Sequence, residues 1–244
     1  MDSPYLILDY IVSDPFVEGA EMTLLITAVS LLIGMAVGLV LALMEESRFP
    51  PVRGVALTYL WLFRGTPVLF QLIFVFNVLP SFGILFSGFT SAVLALGLNE
   101  GAYMAEIMRS GIQAIGRGQR TAGRALGLRD WQVMRYIVLP QAARIIIPPV
   151  GNQFIGMLKL SALVSVIAVE ELLLVANQTA SANFRYLEAL SAAGIYYLIF
   201  TTIFMIGQSW IEKWASRRGR RQAKQPLSLT QRLLGLTSSE ARIR

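Results

Sequence analysis

Two uninterrupted apolar runs constrain this chain more than any other feature. Met22–Met44 and Ala189–Ile211 each extend 23 residues without a charged side chain. As helices rising ~1.5 Å per residue, each reaches roughly 34 Å, enough to cross the ~30 Å hydrocarbon layer of a bilayer. The chain has 244 residues, 55% of them hydrophobic and only 15% charged, where soluble domains carry about 25% charged residues. That apolar excess cannot be hidden in a globule of this size, because surface-to-volume scaling leaves too much of it outside. There is no His and no Cys, which excludes thiolate and imidazole metal sites, His-based triads and a disulfide framework.

Three less pure spans lie between the two runs, near Leu57–Leu79, Thr90–Ile112 and Ile145–Val169. The first two share one apolar stretch, which Pro80-Ser81-Phe82-Gly83 and Ser87-Gly88 divide with a turn. The expected fold is an all-α integral membrane protein with about five transmembrane helices; dividing the middle region differently gives four or six. Segments 45–54, 113–144 and 212–244 hold 17 of the 21 Lys and Arg residues, whereas 1–21, 80–88 and 170–188 hold only Arg185. This bias predicts the N-terminus outside and the C-terminus in the cytoplasm. The net charge of +6 is then an orientation signal, and no nucleic acid partner is needed.

The expected organisation is an extracytoplasmic segment 1–18, a transmembrane domain 19–215 and a basic tail 216–244. The start carries Asp2, Asp9, Asp14, Glu18 and Glu21 without a base. It therefore reads as a translocated tail, partly an interfacial helix, and not as a signal peptide. The Ser- and Arg-rich tail reads as a disordered or surface-lying extension in contact with anionic membrane lipid.

Segment 113–144 is long for a helix connection, which points to a function. Gly116-Arg117-Gly118 breaks the chain after the third span, and Gln119–Leu126 reads as a short helix with small residues at Ala122, Gly123 and Ala125. Gly127 stands where a glycine ends a helix. Asp130 is placed to cap a second short helix, Trp131–Leu139, that Pro140 ends or kinks. The pair forms a compact knob whose small-residue tip lets another protein approach closely.

From Glu106 to Leu174 the sequence resembles the membrane subunit of bacterial ATP-binding-cassette importers for polar amino acids, the histidine, glutamine and glutamate permease type. That family's loop motif runs Glu-Ala-Ala, three residues, Gly, then a spacer to Leu-Pro. The matching positions here are Thr121-Ala122-Gly123, Gly127 and Leu139-Pro140. Arg64-Gly65-Thr66-Pro67 and Gly19, Thr23 and Thr27 also match family patterns, so the resemblance covers roughly 19–215.

The resemblance implies a type I importer fold in the bacterial inner membrane and a second permease subunit, identical or different. It also implies a cytoplasmic ATPase dimer holding ATP and Mg, and an extracytoplasmic amino-acid-binding protein. Gln119, Thr121, Ala122, Gly123, Arg124, Ala125, Leu126, Gly127, Leu139 and Pro140 are then the ATPase-coupling residues. Thr121 and Gly123 depart from the motif's Glu and second Ala, and Gly123 costs about 1 kcal/mol of helix propensity relative to Ala. The chain has no Gly-Lys pair and so no phosphate-binding loop of its own. It is expected to be a transport subunit without a cofactor, and not an enzyme.

Charged groups inside the spans are the remaining candidates. Arg64, with Thr66 beside it, reads either as a snorkelling anchor before a proline break or as part of an inner gate. Lys159, near the middle of its span, should face the bundle interior or a wet cavity and find Glu100, Glu106 or Glu170. Glu106 and Arg109 share a helix face and suggest an ion pair. Asn99, Glu100 and Tyr103 lie deeper, serving either the pathway or interhelical hydrogen bonds. Gln153, Ser161 and Ser165 line a polar path or pack helices; spacing does not separate the two. Leu160 stands where permeases that look specific for cationic substrates have Asp, which favours a neutral or acidic amino acid or a pocket supplied by the other half of a heterodimer. Gly34, Gly38 and Ser191–Gly194 suit close packing.

The rival reading is an ion-coupled secondary transporter independent of ATP. It lacks a second copy of Arg64-Gly65-Thr66-Pro67 and leaves the knob without a purpose. An intramembrane enzyme is disfavoured by the absence of His and by paired carboxylates, Glu45-Glu46 and Glu170-Glu171, placed at membrane edges.

Overall fold

In a computed structural model the described residues, 3–217, are almost entirely helical. The order is α1 (Ser3–Val12), α2 (Asp14–Glu45), α3 (Pro50–Gly65), α4 (Val68–Ile73), α5 (Gly88–Gln113), α6 (Arg117–Ala125), α7 (Asp130–Val133), α8 (Leu139–Leu160), α9 (Leu172–Asn183) and α10 (Tyr186–Arg217). Most of the basic tail, residues 218–244, lies outside the described residues.

Among the described residues three helical stretches are long and apolar enough to cross a bilayer: Asp14–Glu45, Asp130–Ile167 and Tyr186–Lys213. A fourth candidate is the pair Pro50–Gly65 and Val68–Phe82, bent by 101°. The expected second span is therefore two helices and not one. The expected third span is a single helix, α5, but Asn99, Glu100, Glu106 and Arg109 make it too polar to stand among the apolar candidates. Protein covers it instead, and more than half of its residues are buried.

That burial rests on two interlocking glycine pairs. Gly34 and Gly38 on α2 face α5, where an added Cβ would lie 2.7 Å from Glu100 Cγ or 2.4 Å from Met104 Cβ. Gly97 and Gly101 on α5 face α2, where a Cβ would lie 2.9 Å from Ile33 Cγ2 or 2.7 Å from Val37 Cγ1. Small residues four apart on both helices let the backbones approach closely, and Gly34 makes room for Glu100. The expected packing role of Gly34 and Gly38 is met. Gly194 differs, because a Cβ there would meet nothing within 4 Å, while Ala192 and Ala193 are buried.

At the other end of α2, Thr23 and the chain around Glu171 join three helices. Glu171 is fully buried and caps α9 by accepting from the Leu173 and Leu174 amides, both at 2.9 Å. It also accepts from Tyr197 Oη at 2.9 Å, and Thr23 Oγ1 accepts from the Leu172 amide at 3.2 Å. Burial pushes its carboxyl above the ordinary range against the pull of those bonds. This carboxylate is therefore a helix cap, and only Glu170 of the pair stands exposed.

Three boundaries differ from expectation. Helix α2 starts at Asp14, eight residues before the apolar run that begins at Met22, so residues 14–18 are helical and continuous with it. Residues 172–183 form α9, where a connecting segment is expected. Pro140 does not end a short second helix: the chain runs from Asp130 through a π-helical turn, Met134–Val138, directly into α8. The wider turn accommodates a residue that lacks an amide donor.

Candidate functional site

The break after α3 builds the first part of the site. Arg64-Gly65-Thr66-Pro67 leaves the helix at Gly65, and Thr66 and Pro67 are extended. A break within a bilayer frees carbonyls that have no water to turn to. Gln71 and Asn99 take them up. Gln71 Nε2 donates to the Phe63 carbonyl at 2.9 Å, the Thr66 carbonyl at 3.1 Å and Thr66 Oγ1 at 2.8 Å. Asn99 Nδ2 donates to the same Phe63 carbonyl at 3.0 Å and to Gln71 Oε1 at 3.1 Å. Gln71 is buried and was not singled out by the sequence reading. Its signal is an amide within the apolar run from Val68 to Val78.

Beside this break lies a cavity of about 530 Å³. Its walls bring together six residues expected along the pathway: Arg64, Thr66, Asn99, Glu100, Tyr103 and Gln153. Gln153 Nε2 on α8 donates to Glu100 Oε1 at 2.9 Å. The Arg64 guanidinium lies 5.7 Å from the centre of the Tyr103 ring and pairs with Glu106. The expected Glu106–Arg109 pair does not form. Arg109 turns to Glu45 at 3.4 Å, because the C-terminal ends of α2 and α3 offer each charge a nearer partner than its own helix.

Three expected residues lie elsewhere. Lys159 is exposed on α8, away from the chain's own interior, and none of Glu100, Glu106 and Glu170 pairs with it among the described residues. Ser161 is buried, with its hydroxyl donating to the Leu158 carbonyl at 2.8 Å. Ser165 donates to the Ala162 carbonyl at 2.7 Å. Both hydroxyls serve the 3-10 turn Ser161–Ile167, whose backbone leaves them local acceptors.

The knob forms the second part. Helix α6 ends at Ala125 with Leu126 as its cap, and Gly127 takes φ +79°, the left-handed conformation that glycine adopts without steric cost. The Gly127 amide donates to the Arg124 carbonyl at 2.9 Å and the Leu128 amide to the Gly123 carbonyl at 3.2 Å. This is the paired closure of a glycine-ended helix. The next helix begins after Arg129, whose amide donates to Gln132 Oε1 at 2.8 Å. The cap is thus one residue earlier than expected, and Asp130 instead binds Arg124 at 2.8 Å and Arg48 at 3.5 Å.

Gln119, Thr121, Ala122, Arg124, Ala125, Leu126 and Gly127 are exposed, but Gly123 is buried and does not form part of the tip. A Cβ at Gly123 would lie 2.7 Å from Ile137 Cδ1 and 3.0 Å from Val133 Cγ2. Glycine at this motif position lets α6 lie against the long helix. Leu139 packs beside the knob's core of Ile112, Ile115, Val133, Val138 and Ala142, while Pro140 is exposed. Trp131 and Tyr136 add an exposed aromatic pair, with ring centres 6.3 Å apart, that the sequence reading passed over.

Residues 34–217 match the family described as binding-protein-dependent transport system inner membrane component. The chain belongs to that family. It is a permease subunit of a multi-pass, bacterial inner-membrane importer, and not itself an enzyme. Among its relatives is the arginine transport system permease protein ArgU of Corynebacterium glutamicum, 42% identical over 84% of this chain and 69% of that protein. The glutamine transport system permease protein GlnP of Escherichia coli is 40% identical over 77% of this chain and 86% of its own length. A crystal structure of an amino acid ABC transporter with histidines is 42% identical, with a TM-score of 0.77 over 82% of this chain and 93% of that one. The methionine transporter MetNI in an inward-facing conformation shares the fold at 18% identity, with a TM-score of 0.72 over 84% of this chain and 99% of that one. The resemblance to polar amino-acid importer permeases thus holds over most of the permease, and the family implies an ATPase and a binding protein as partners.

Proposed function

We propose that this permease carries a polar amino acid through the cavity beside the Gly65–Pro67 break. The observation that carries this reading is the convergence of Arg64, Tyr103, Glu100 and Gln153, from three separate helices, on one cavity. A guanidinium and a carboxylate in one chamber suit the two charges of an α-amino acid, and the amides suit a polar side chain. The relatives named for arginine and glutamine transport agree with that substrate class.

Five crossings, counting the bent pair and α5, with the N-terminus outside, agree with the 17 basic residues on the inner segments. The permease works as a homo- or heterodimer, and an extracytoplasmic binding protein delivers its cargo. The exposed face of α6 docks into the ATPase that holds ATP and Mg. A knob closed by its own backbone bonds passes on a motion without absorbing it. Membership of a binding-protein-dependent family favours this over the ion-coupled alternative.

Two measurements test the reading. A single cysteine at exposed Ala125, crosslinked in native membranes, should capture the ATPase; a functional mutant that captures none removes the docking role. In proteoliposomes holding the whole transporter, Glu100→Gln should lower uptake at least about tenfold, the ~1.4 kcal/mol scale of one lost charged contact. Unchanged uptake would remove the cavity from the pathway.

A further inference from the structure

Residues 46–49, between α2 and α3, form an elbow beside the knob. The elbow is closed by its own bonds: the Ser47 amide donates to the Met44 carbonyl at 3.1 Å and the Phe49 amide to Ser47 Oγ at 3.2 Å. Glu46, the cap residue of α2, uses both of its carboxylate oxygens. Oε1 accepts from Nε2 of Gln113, the last residue of α5, at 3.0 Å, and Oε2 lies 3.9 Å from the Arg120 guanidinium on α6. Arg120 also donates through Nη2 to the Ile112 carbonyl at 3.3 Å, so one guanidinium spans the end of α5 and the elbow. A second link joins Arg48 to Asp130 at 3.5 Å, but its side chains are 87% and 63% exposed, and pairs so open to water contribute little. The side chains of Glu46 and Arg120 are only 24% and 27% exposed, which makes theirs the less screened tie.

The elbow leads into α3, whose far end carries Arg64 to the cavity beside the break. Helix α3 is held near its middle. Buried Ala56 packs with Leu41 and Ala105, and Tyr59 Oη donates to the Leu98 carbonyl at 2.7 Å. A rigid helix held at its middle moves one end when the other is displaced. The knob's own apolar core ties it to α5 and α8. The Glu46–Arg120 bridge therefore joins the knob to a different helix, the one that ends at the cavity.

We propose that Glu46 and Arg120 are positioning residues for energy coupling. Their bridge locks α6 to the elbow, so that a displacement of the knob by the ATPase rocks α3 and moves Arg64. Neither residue lines the cavity itself. The proposal rests on reading the knob as the ATPase dock.

The test uses proteoliposomes that hold the whole transporter and its binding protein. Uptake from a radiolabelled mixture of the protein amino acids is measured together with ATP hydrolysis. Glu46→Arg alone and Arg120→Glu alone should each lower the amount carried per ATP hydrolysed at least about fivefold, the lower range of coupling between sites. Combining the two exchanges the charges and should restore the ratio to within about twofold, because Gln113 can present its amide oxygen to the relocated guanidinium. Glu46→Gln keeps an acceptor for Gln113 and removes only the charge. It should lower the ratio by less, and it decides the question if a reversed charge prevents insertion. Ala125→Cys, added to each variant, should still capture the ATPase. An unchanged ratio, or a loss that the exchange does not restore, overturns the bridge while capture at Ala125→Cys stands. Capture lost only in the charge-reversed variants would make the pair part of the dock and also overturns its transmitting role. No capture by Ala125→Cys alone removes the docking reading, and this proposal with it.

Discussion

The chain breaks its helices at two glycines, and the two breaks are repaired by opposite means. At Gly127 the freed carbonyls are taken by amides two and three residues past the helix end, on the same stretch of chain. At Gly65 the carbonyls of Phe63 and Thr66 are taken by Gln71 and by Asn99, the latter from another helix. The first break stands on an exposed knob, where water is an alternative partner. The second lies within a bent apolar pair, where the alternative is hydrocarbon and each unmet group costs several kcal/mol. A break at membrane depth therefore imports polar side chains, and one of them, Asn99, also lines a cavity. The knob needs none, and exposes Ala122, Ala125 and Gly127 among Gln119, Thr121, Arg124 and Leu126.

Changing each repair tests that contrast. Gln71→Leu should have the largest effect. It removes the Nε2 bonds to the part-buried Phe63 and Thr66 carbonyls and the Thr66 hydroxyl, and the bond Gln71 Oε1 accepts from Asn99, a loss of about 3–4 kcal/mol at ~1 kcal/mol each. Thermal melting in detergent should fall markedly and uptake should be lost; an unchanged melting curve would mean water serves the break instead. Asn99→Leu should cost less, because the Phe63 carbonyl keeps its bond from Gln71.

Gly127→Val should cost about 1–2 kcal/mol through its left-handed backbone. Its consequence is mainly functional: membrane insertion persists while ATP hydrolysis separates from uptake. Normal coupling in that variant would show that the knob's turn is dispensable. Gly123→Ala should be near neutral, because about 1 kcal/mol of overpacking against the flexible tip of Ile137 is offset by the ~1 kcal/mol of helix propensity that alanine restores. Deleting 222–244 should leave uptake unchanged, because that polar, Ser- and Arg-rich stretch offers little to bury. A correctly inserted but inactive truncation would identify the tail as a docking element.

The knob was legible because its signals are local. A glycine after a short helix, small residues beside it and a Leu-Pro pair all act within a few turns of chain. Its errors were local too: a cap shifted from Asp130 to Arg129, and Pro140 absorbed by a π-turn that no residue type announces. The cavity was legible as a set of members but not as an arrangement. Arg64, Asn99, Glu100 and Tyr103 were recognisable because polar groups in apolar spans need a reason. Their partners were not, since Glu106 chose Arg64 over the Arg109 on its own helix. Lys159 shows the limit from the other side. Its depth in a span suggested an inward position, yet helical phase leaves it exposed on this chain.

By itself the sequence determined that the chain is a helical membrane protein, which of its segments carry basic charge, and which family its motifs match. These follow from composition and spacing along one dimension. Only the tertiary structure decided that α5 is covered by protein, through glycine pairs on two helices that must face each other. It alone placed Gln71 and Asn99 at the bend and paired Glu45 with Arg109 across two helices. Such pairings depend on the rotation and depth of each helix relative to its neighbours. Those are set by packing between segments distant in sequence, which no local pattern of residues encodes.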